Sequence, residues 1–396
     1  MFEIDLVEYE KQLVAEGAFP AGAGEWLWQQ HSHIVQVDFP SIKTNGQWQL
    51  TAQGYVGYLQ TAGLRLTIQP KVALDNLFRM VETAYRLSFD FMEGVVGCGS
   101  LADFYERLAL VLALRVLVRA RQGFYRAYVT RRERLPFVRG RLDVAQMVSR
   151  PEQVNLACHY EELVTDVIEN QLFYGTLHHI LASGLCSQRV LPTIRRAYGS
   201  LRGLVTLAPV TARDCVGRVY HRLNEDYRPG HFLCRFFLEN SGPAGQTGPY
   251  PSLPFLLNMA QLYELFVAEW LQQHLPAGYS LKAQESVLVD PAGSLRFQID
   301  LVLYDQTRPV CILDTKYKAN PRPAPEDISQ AVTYAVAKEC PLAVLIYPVE
   351  MAPAGWQIGH LRLVPLIFAL NGDLEENGKR FLTELLALLE ARNGNS

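Results

Sequence analysis

The spacing of hydrophobic and polar residues divides the N-terminal part of the chain into a β-rich stretch and a longer helical one. Apolar and polar residues alternate over 34–39 and 48–72, where aromatic residues and a central Ala-Gly predict a hairpin or small sheet. Over about 74–122 and again over 161–207, apolar residues recur at helical spacing. The opening residues, MFEIDLVEYEKQLVAEG, are charged and amphipathic, and we expect a helix there.

The C-terminal part of the chain follows a segment rich in Gly, Pro and Ser at 240–254, which has the composition of an exposed linker. After it, helical and strand-like patterns alternate as they do in an α/β domain. The predicted helices are 255–275, 327–339 and the closing LEENGKRFLTELLALLEARN; the predicted strands are 279–289, a hairpin within 297–318, 342–349 and 360–368.

These patterns predict a multi-domain chain of the α/β class. Its C-terminal domain is α/β, and the whole chain, with its separate β-rich and helical parts, is α+β. Residues 1–245 form one predicted region, which is β-rich over about 30–72 and mainly helical over about 74–235. Residues 246–396 form a second, α/β domain. A chain of 396 residues is long enough to bury two separate cores.

Composition and charge exclude several classes of protein. The formal net charge is −3, and 49% of the residues are hydrophobic, so disorder on the scale of a domain is not expected. The seven cysteines are scattered without a Cys-x-x-Cys pair, and the nine histidines form no zinc-binding spacing. We find no apolar run long enough for a bilayer and no cleavable signal, so we expect a cytoplasmic protein without membrane contact.

One segment departs from this even balance of charge. Between Arg115 and Arg141 the chain carries nine arginines and a single acidic residue, Glu133. Such a cluster can be a solvated helix face, a contact to a nucleic-acid backbone, or a docking patch for an acidic partner. The arginines are Arg115, Arg119, Arg121, Arg126, Arg131, Arg132, Arg134, Arg139 and Arg141.

The predicted hairpin FQIDLVLYDQTRPVCILDTKYK carries charged residues where a buried strand usually has apolar ones. Asp314 and Lys316 are two residues apart and so share one face of their strand, and Asp300 can reach that face from the neighbouring strand. Two carboxylates held this close favour a cation between them. A hard ion such as Mg²⁺ meets that need, can lower the pKa of a bound water and supports phosphodiester hydrolysis, with Lys316 stabilising the transition state.

The pattern Asp-x₁₃-Asp-x-Lys on two strands resembles that of the PD-(D/E)xK nuclease superfamily. Gln330 and Tyr334 lie one helical turn apart and match the Gln-x-x-x-Tyr element of the RecB-like branch, where the resemblance implies a role beside the metal-water network or DNA. Glu264 lies on the helix that opens the domain, where such nucleases often place another acidic ligand. Glu269 is the competing acid on that helix, on a different face.

A structural explanation of the same residues remains open. Asp300 and Asp314 can pair with Lys316 and Arg296 as a salt-bridge cluster, and Gln330 and Tyr334 can be ordinary helix residues. Buried ion pairs gain little over apolar packing, which makes this explanation weaker for the charged residues together.

Several longer segments, taken in order, resemble the McrC family, the nuclease subunits of McrBC-type systems that restrict modified DNA. The resemblance covers about residue 50 to the end of the chain. The matching segments are GYVGYLQTAGLRLTIQPKV (54–72), FVRGRLDVAQ (137–146), CHYEELVTDVIENQLFYGTL (158–177) and SLPFLLNMAQLYELFVAEWL (252–271), all before the Asp-Thr-Lys strand.

The resemblance implies a division of labour between two regions. Residues 246–396 would be a PD-(D/E)xK restriction-endonuclease-like domain with catalytic residues Asp300, Asp314, Lys316, Gln330 and Tyr334, and with Asp300, Asp314 and Glu264 at the metal. Residues 1–245 would dock on a hexameric McrB-like AAA+ GTPase and stimulate its GTP hydrolysis.

The expected cofactor is Mg²⁺, for which Mn²⁺ can substitute, and the expected substrate is double-stranded DNA containing methylcytosine, cut as part of phage defence. The chain has no Gly-x₄-Gly-Lys-Ser/Thr loop, so we expect it to bind no nucleotide itself. Arg131, Arg132, Arg139 and Arg141 are candidates for contact with the partner or DNA. The alternatives are a stand-alone RecB-like repair exonuclease and a non-catalytic, GTPase-activating scaffold.

Overall fold

The computed structural model describes residues 2–61, 63–87, 99–150, 152–240, 255–288, 296–318, 323–349 and 355–393. Packing divides the chain into two compact units. The first comprises Met1–Asp103 together with Gly242–Ser396, and the second comprises Phe104–Ser241. The predicted linker at 240–254 lies, except for its first residue, outside the described residues.

The N-terminal part of the first unit is β-rich, as its alternating pattern predicts from residue 34 onward. Its elements are β1 (Phe2–Val7), β2 (Lys11–Ala15), α1 (Ala23–His31), β3 (Val35–Asp38), β4 (Gln47–Ala52), β5 (Tyr55–Thr61), β6 (Leu64–Gln69) and α2 (Leu74–Ala84). The helix predicted for the opening residues is wrong, because β1 and β2 are strands. In β1, Ile4 and Leu6 are buried while Glu3 and Asp5 are exposed, which is the two-residue period of a strand paired with β6.

The second unit is less helical than its sequence predicts. Its elements are α3 (Leu101–Gln122), which begins three residues before the unit does, β7 (Ala127–Leu135), β8 (Arg141–Leu142), α4 (Val144–Ser149), β9 (Leu156–Val164), α5 (Ile168–Ser183), α6 (Leu191–Leu201) and α7 (Arg228–Asn240). The strands β7, β9 and β8 form an antiparallel sheet in that order. The helix predicted from residue 161 therefore starts only at Ile168, since β9 continues through Val164.

The remaining part of the first unit has the predicted alternation of strands and helices. Its elements are β10 (Phe255–Asn258), α8 (Met259–His274), β11 (Tyr279–Leu288), β12 (Arg296–Asp305), β13 (Arg308–Thr315), α9 (Pro325–Ala337), β14 (Leu342–Tyr347), β15 (Trp356–Ile358), β16 (Leu361–Ile367) and α10 (Leu374–Asn393). The helix predicted at 255–275 starts four residues late, because Phe255–Asn258 pairs with β5 and the Asn258 side chain then caps α8.

The central sheet of this part has the order β11-β12-β13-β14-β16-β15. The pairs β13–β14 and β14–β16 are parallel and the others are antiparallel. Helix α9 connects the parallel strands β13 and β14, and its Ala331 and Tyr334 belong to an apolar cluster with Val302, Ile312 and Leu345 of the sheet. A continuous apolar strand such as β14, buried throughout, is typical of a sheet covered on both faces.

The division by packing differs from the predicted boundary between residues 245 and 246, because residues 1–103 belong to the same unit as the C-terminal α/β part. The contacts are specific: β10 is a strand of the N-terminal sheet, whose order is β1-β6-β5-β10. In addition, the buried Asn76 side chain donates hydrogen bonds to the carbonyl oxygens of Leu370 and Gly372 at 2.8 and 2.9 Å.

The cysteines and the apolarity of the helices bear on two predictions from composition. The six cysteines within the described residues are all buried, as predicted, and form no disulfide with one another; Cys98 lies outside those residues. In the part of the chain that the structure describes, no helix has both the length and the apolarity needed to cross a bilayer.

Candidate active site

The hairpin β12–β13 brings Asp300 and Asp314 together. Their strands pair antiparallel through Val302–Ile312 and Leu301–Leu313, and the next residues in this register are Asp300 and Asp314. Asp314 is completely buried between β12 and β14, whereas Asp300 is half-buried. The predicted approach of the two carboxyl groups is therefore a property of the strand register.

The two carboxyl groups lie in an environment that disfavours their charge. Burial raises the pKa of Asp314 to about 7; the charge of Lys316 opposes this shift and Asp300 adds to it. Burial likewise raises the pKa of Asp300. Lys316 Nζ lies 2.7 Å from Asp314 Oδ2, but neither oxygen of Asp314 receives a hydrogen bond of good geometry from the described part of the chain. The single positive charge of Lys316 does not compensate two ionised carboxyl groups, so a further cation is favoured.

Lys316 is connected to α9 by a short chain of hydrogen bonds. Its Nζ donates to Gln330 Oε1 at 2.8 Å, and Gln330 Nε2 donates to the Tyr334 hydroxyl at 2.8 Å. Gln330 and Tyr334 are one helical turn apart, and Tyr334 is buried in the apolar cluster beneath α9. The structure thus joins four of the predicted site residues, Asp314, Lys316, Gln330 and Tyr334, in one network.

Glu264 and Glu269 of α8 have different surroundings. Glu264 Oε1 accepts a hydrogen bond from Gln284 Nε2 of β11. Burial raises the pKa of Glu264 to about 7, and the charge of Asp300 adds to the shift. Glu269 instead pairs with Arg86 at 2.5 Å. Of the two acids, Glu264 is the one that lies beside the aspartates.

The structural explanation as a balanced salt-bridge cluster finds little support in this geometry. Three carboxyl groups, those of Glu264, Asp300 and Asp314, interact electrostatically with a single lysine, Lys316. Arg296 is exposed and forms no ion pair within the described residues. Excess buried negative charge is destabilising unless a cation or protons compensate it.

The donor set fits a hard divalent cation held by two carboxyl groups. Carboxylate oxygens are the ligands that Mg²⁺ prefers, and both oxygens of Asp314 are buried. Mg²⁺ is commonly held by one or two carboxylates and keeps several waters. Within the described ranges, no three acidic, His or Cys side chains converge closely enough to form a metal cluster. Asp300 and Asp314 are therefore the core of the candidate site, and Glu264 lies beside it.

Two contacts at the site were not predicted from the sequence. Gln284 bonds Glu264, and Lys318 Nζ pairs with the buried Asp327 at 2.7 and 2.8 Å where α9 begins. The second had a sequence signal, because Lys318 follows the Asp-Thr-Lys motif and Asp327 lies in the first turn of the predicted helix. The first had none, since Gln284 lies in an ordinary strand pattern.

The predicted arginine contacts lie in the second unit, on and beside the β7–β9–β8 sheet. Arg131 and Arg139 both approach Glu162, at 3.6 and 2.9 Å, and Arg139 also lies 3.9 Å from the centre of the Tyr160 ring. Arg132 and Arg141 are exposed and have no ion pair among the described residues. Of these four arginines, Arg132 and Arg141 are thus the two most open to an external anion.

Comparisons with known proteins place this chain in a family. The model of the "McrBC 5-methylcytosine restriction system component" family matches residues 50–348. The chain belongs to the McrBC family. A curated relative, the type IV methyl-directed restriction enzyme EcoKMcrBC of Escherichia coli K12, is 22% identical over 266 residues, which are 63% of this chain and 74% of that protein.

A solved structure of an McrBC assembly has a similar fold. It is described as a refined half-complex from the tetradecameric assembly of Thermococcus gammatolerans McrB AAA+ hexamers with bound McrC. The TM-score is 0.54 at 18% identity, and the match covers 97% of this chain and 100% of the matched chain. The predicted resemblance to the McrC family and the predicted α/β, multi-domain fold class are confirmed.

Proposed function

We propose that this McrBC family member is the Mg²⁺-dependent DNA endonuclease subunit of its restriction system, of the PD-(D/E)xK type. It cleaves methylcytosine-containing DNA when assembled with an AAA+ GTPase, whose GTP hydrolysis it stimulates. The observation that supports the nuclease assignment most strongly is the chain of contacts from Asp314 through Lys316 and Gln330 to Tyr334, with Asp300 opposite Asp314 in the hairpin register. The partner is inferred from the relatives, which are described as components of McrBC systems and assemblies.

Each residue of the set has a role that its position supports. Asp300 and Asp314 would hold Mg²⁺, which supplies charge neutralisation at the scissile phosphate and an acidified water. The Lys316 ammonium, fixed between Asp314 and Gln330, is placed to donate hydrogen bonds to a phosphate oxygen or to the attacking water. Gln330 orients Lys316, and the buried Tyr334 anchors Gln330. Such fixed positioning contributes much of the rate of phosphoryl chemistry.

The second unit is the candidate for contact with the GTPase or with DNA. Large apolar residues are exposed in this unit, among them Tyr128 in β7 and Phe137 and Val138 between β7 and β8. Arg132 in β7 and Arg141 in β8 are also exposed and have no ion pair among the described residues. Apolar and arginine side chains together are typical of binding surfaces. The sheet therefore supports the predicted docking role of this part of the chain.

The decisive test is DNA cleavage by the full chain mixed with its AAA+ GTPase partner, Mg²⁺ and GTP. We expect the wild-type chain to cut circular DNA that contains methylcytosine, and the Lys316→Ala chain to be inactive while still stimulating GTP hydrolysis. A matched control is Lys282→Ala, which removes an exposed lysine from the same sheet.

The alternatives predict different results in the same assay. Degradation of linear but not circular DNA by the chain without partner would favour the stand-alone exonuclease. Stimulation of GTP hydrolysis without DNA cleavage, whichever divalent metal ion is added, would favour the non-catalytic scaffold. Cleavage by the Lys316→Ala chain at the wild-type rate would contradict the assigned site.

The hydrogen bond between Lys316 and Gln330 leads to a smaller expected effect. Replacing Gln330 by alanine frees the Lys316 ammonium from α9, so we expect cleavage to fall about tenfold to hundredfold. Gln330 is exposed, so the melting temperature should change little. The measurement is the single-turnover cleavage rate, with Thr333→Ala, an exposed change on the same helix, as the control. Equal rates for the Gln330→Ala and Thr333→Ala chains would show that Lys316 needs no support from α9.

A further inference from the structure

Gln284, in the middle of β11, has a backbone conformation that is unusual for a strand. Its φ is 53°, in the left-handed region that glycine adopts readily and that other residues rarely adopt. Residues held in this region persist only where the surrounding structure enforces them, and they cluster at functional sites.

The left-handed residue changes which way the side chains of β11 point. Lys282 Nζ lies 4.6 Å from the centre of the Tyr304 ring, and Glu285 accepts hydrogen bonds from the Tyr304 hydroxyl at 3.0 and 2.8 Å. In a regular strand, residues three apart point to opposite faces. Because Lys282 and Glu285 contact the same ring, the alternation breaks between them, where Gln284 lies.

This break directs Gln284 towards the candidate metal site. The pairing of β11 with β12 runs through Ala283–Leu301 and Glu285–Ile299, which places Gln284 opposite Asp300. Its Nε2 then donates to Glu264 Oε1 of α8. A regular strand would instead turn residue 284 to the face that Lys282 shares with Tyr304.

We propose that Gln284 is a positioning residue that holds the Glu264 carboxylate beside Asp300 and Asp314 for use by the metal and its waters. The proposal rests on the proposed function, because it assigns Gln284 to the same metal site. The amide occupies Oε1 and leaves Oε2 for a water or the ion. A neutral donor orients the carboxylate without cancelling its charge, whereas lysine or arginine at 284 would compete with the cation.

The test is Mn²⁺ binding by the purified full chain, followed through the electron paramagnetic resonance signal of free Mn²⁺. Gln284→Gly removes the amide but suits the backbone, so we expect an unchanged or higher melting temperature and about tenfold weaker Mn²⁺ binding. The matched control is Gln306→Gly: Gln306 is the same residue type with the same φ of 53°, in the exposed turn between β12 and β13. Its Mn²⁺ affinity should equal that of wild type.

Two further variants distinguish an error in the metal site from an error in the role of Gln284. Asp314→Asn should lose Mn²⁺ binding; if it binds as wild type does, the metal site is wrong and the role of Gln284 with it. If Asp314→Asn loses binding but Gln284→Gly does not, only the role of Gln284 is wrong. In a Glu264→Gln background, Gln284→Gly should weaken Mn²⁺ binding less than twofold further. A full tenfold loss there, or equal losses for Gln284→Gly and Gln306→Gly, would overturn the proposal.

Discussion

Replacing Asp314 by asparagine is expected to lower DNA cleavage by about a thousandfold or more while leaving the fold intact. Asparagine has the shape of aspartate, but its amide removes the charge that would hold Mg²⁺ and pair with Lys316 at 2.7 Å. Asp314 is completely buried at the end of β13, so solvent screens the loss of its charge very little. The measurement is single-turnover cleavage with the GTPase partner present, together with the melting temperature and circular dichroism spectrum of the variant.

The matched control for this variant is Asp305→Asn, which changes an exposed residue at the last position of β12, beside the turn of the hairpin. It should leave the cleavage rate within a factor of about two of wild type, as surface substitutions usually have small effects. If the Asp314→Asn chain retained a tenth or more of the wild-type rate, Asp314 would not be a metal-binding residue of the reaction.

The second large effect concerns Glu8, which is completely buried where β1 ends. Its Oε2 accepts a hydrogen bond from the Tyr317 hydroxyl at 2.9 Å, while its Oε1 accepts no hydrogen bond of good geometry from the described residues. Burial raises the pKa of Glu8 from 4.5 to about 7, although Tyr317 and the nearby Lys71 lower it. Tyr9 is the other titratable neighbour, and the charge of Glu8 contributes to its raised pKa.

The sign of the pH dependence follows from this raised pKa. Between about pH 4.5 and 7 the folded chain holds a proton on Glu8 that the unfolded chain has lost, so the Glu8 contribution to stability falls as pH rises. Replacing Glu8 by glutamine removes this loss. We expect the free energy of unfolding of the Glu8→Gln chain, relative to wild type, to increase by about 2 to 3 kcal/mol between pH 5 and pH 8.

Urea unfolding at several pH values between 5 and 8 measures this difference directly. The exposed neighbour Glu10 supplies the control, since Glu10→Gln should follow wild type at every pH. Parallel stability curves for the Glu8→Gln and wild-type chains would contradict the raised pKa of Glu8.

The candidate site could be predicted from the sequence because its residues follow the periods of regular elements. Asp314 and Lys316 share a face through the two-residue period of a strand, and Gln330 and Tyr334 share one through the helical turn. The register of the hairpin then determines which residue faces Asp314, and the short turn between the two apolar runs limits that register.

The secondary-structure predictions were wrong where one sequence pattern is compatible with two structures. In the opening residues, the charges of FEIDLVEYEKQLV are compatible with an amphipathic helix and with strands, and pairing with β6 decided between them. In β7, most side chains are at least partly exposed, so no alternation of polar and apolar residues marks the strand. The left-handed Gln284 could not be predicted, because backbone strain at a non-glycine residue is imposed by its neighbours.

The contact between Glu8 and Tyr317 bears on whether the C-terminal α/β part, from β10 onward, can be produced as a separate fragment. Tyr317 directly follows Lys316, and its hydroxyl donates a hydrogen bond to Glu8, the residue that follows β1. The strand β10, which precedes α8, is likewise paired within the N-terminal sheet. A fragment cut at the linker would therefore expose a sheet edge and leave Tyr317 without its acceptor. The proposed nuclease part is not an independent folding unit, and a fusion protein that includes it has to carry residues 2–87 as well.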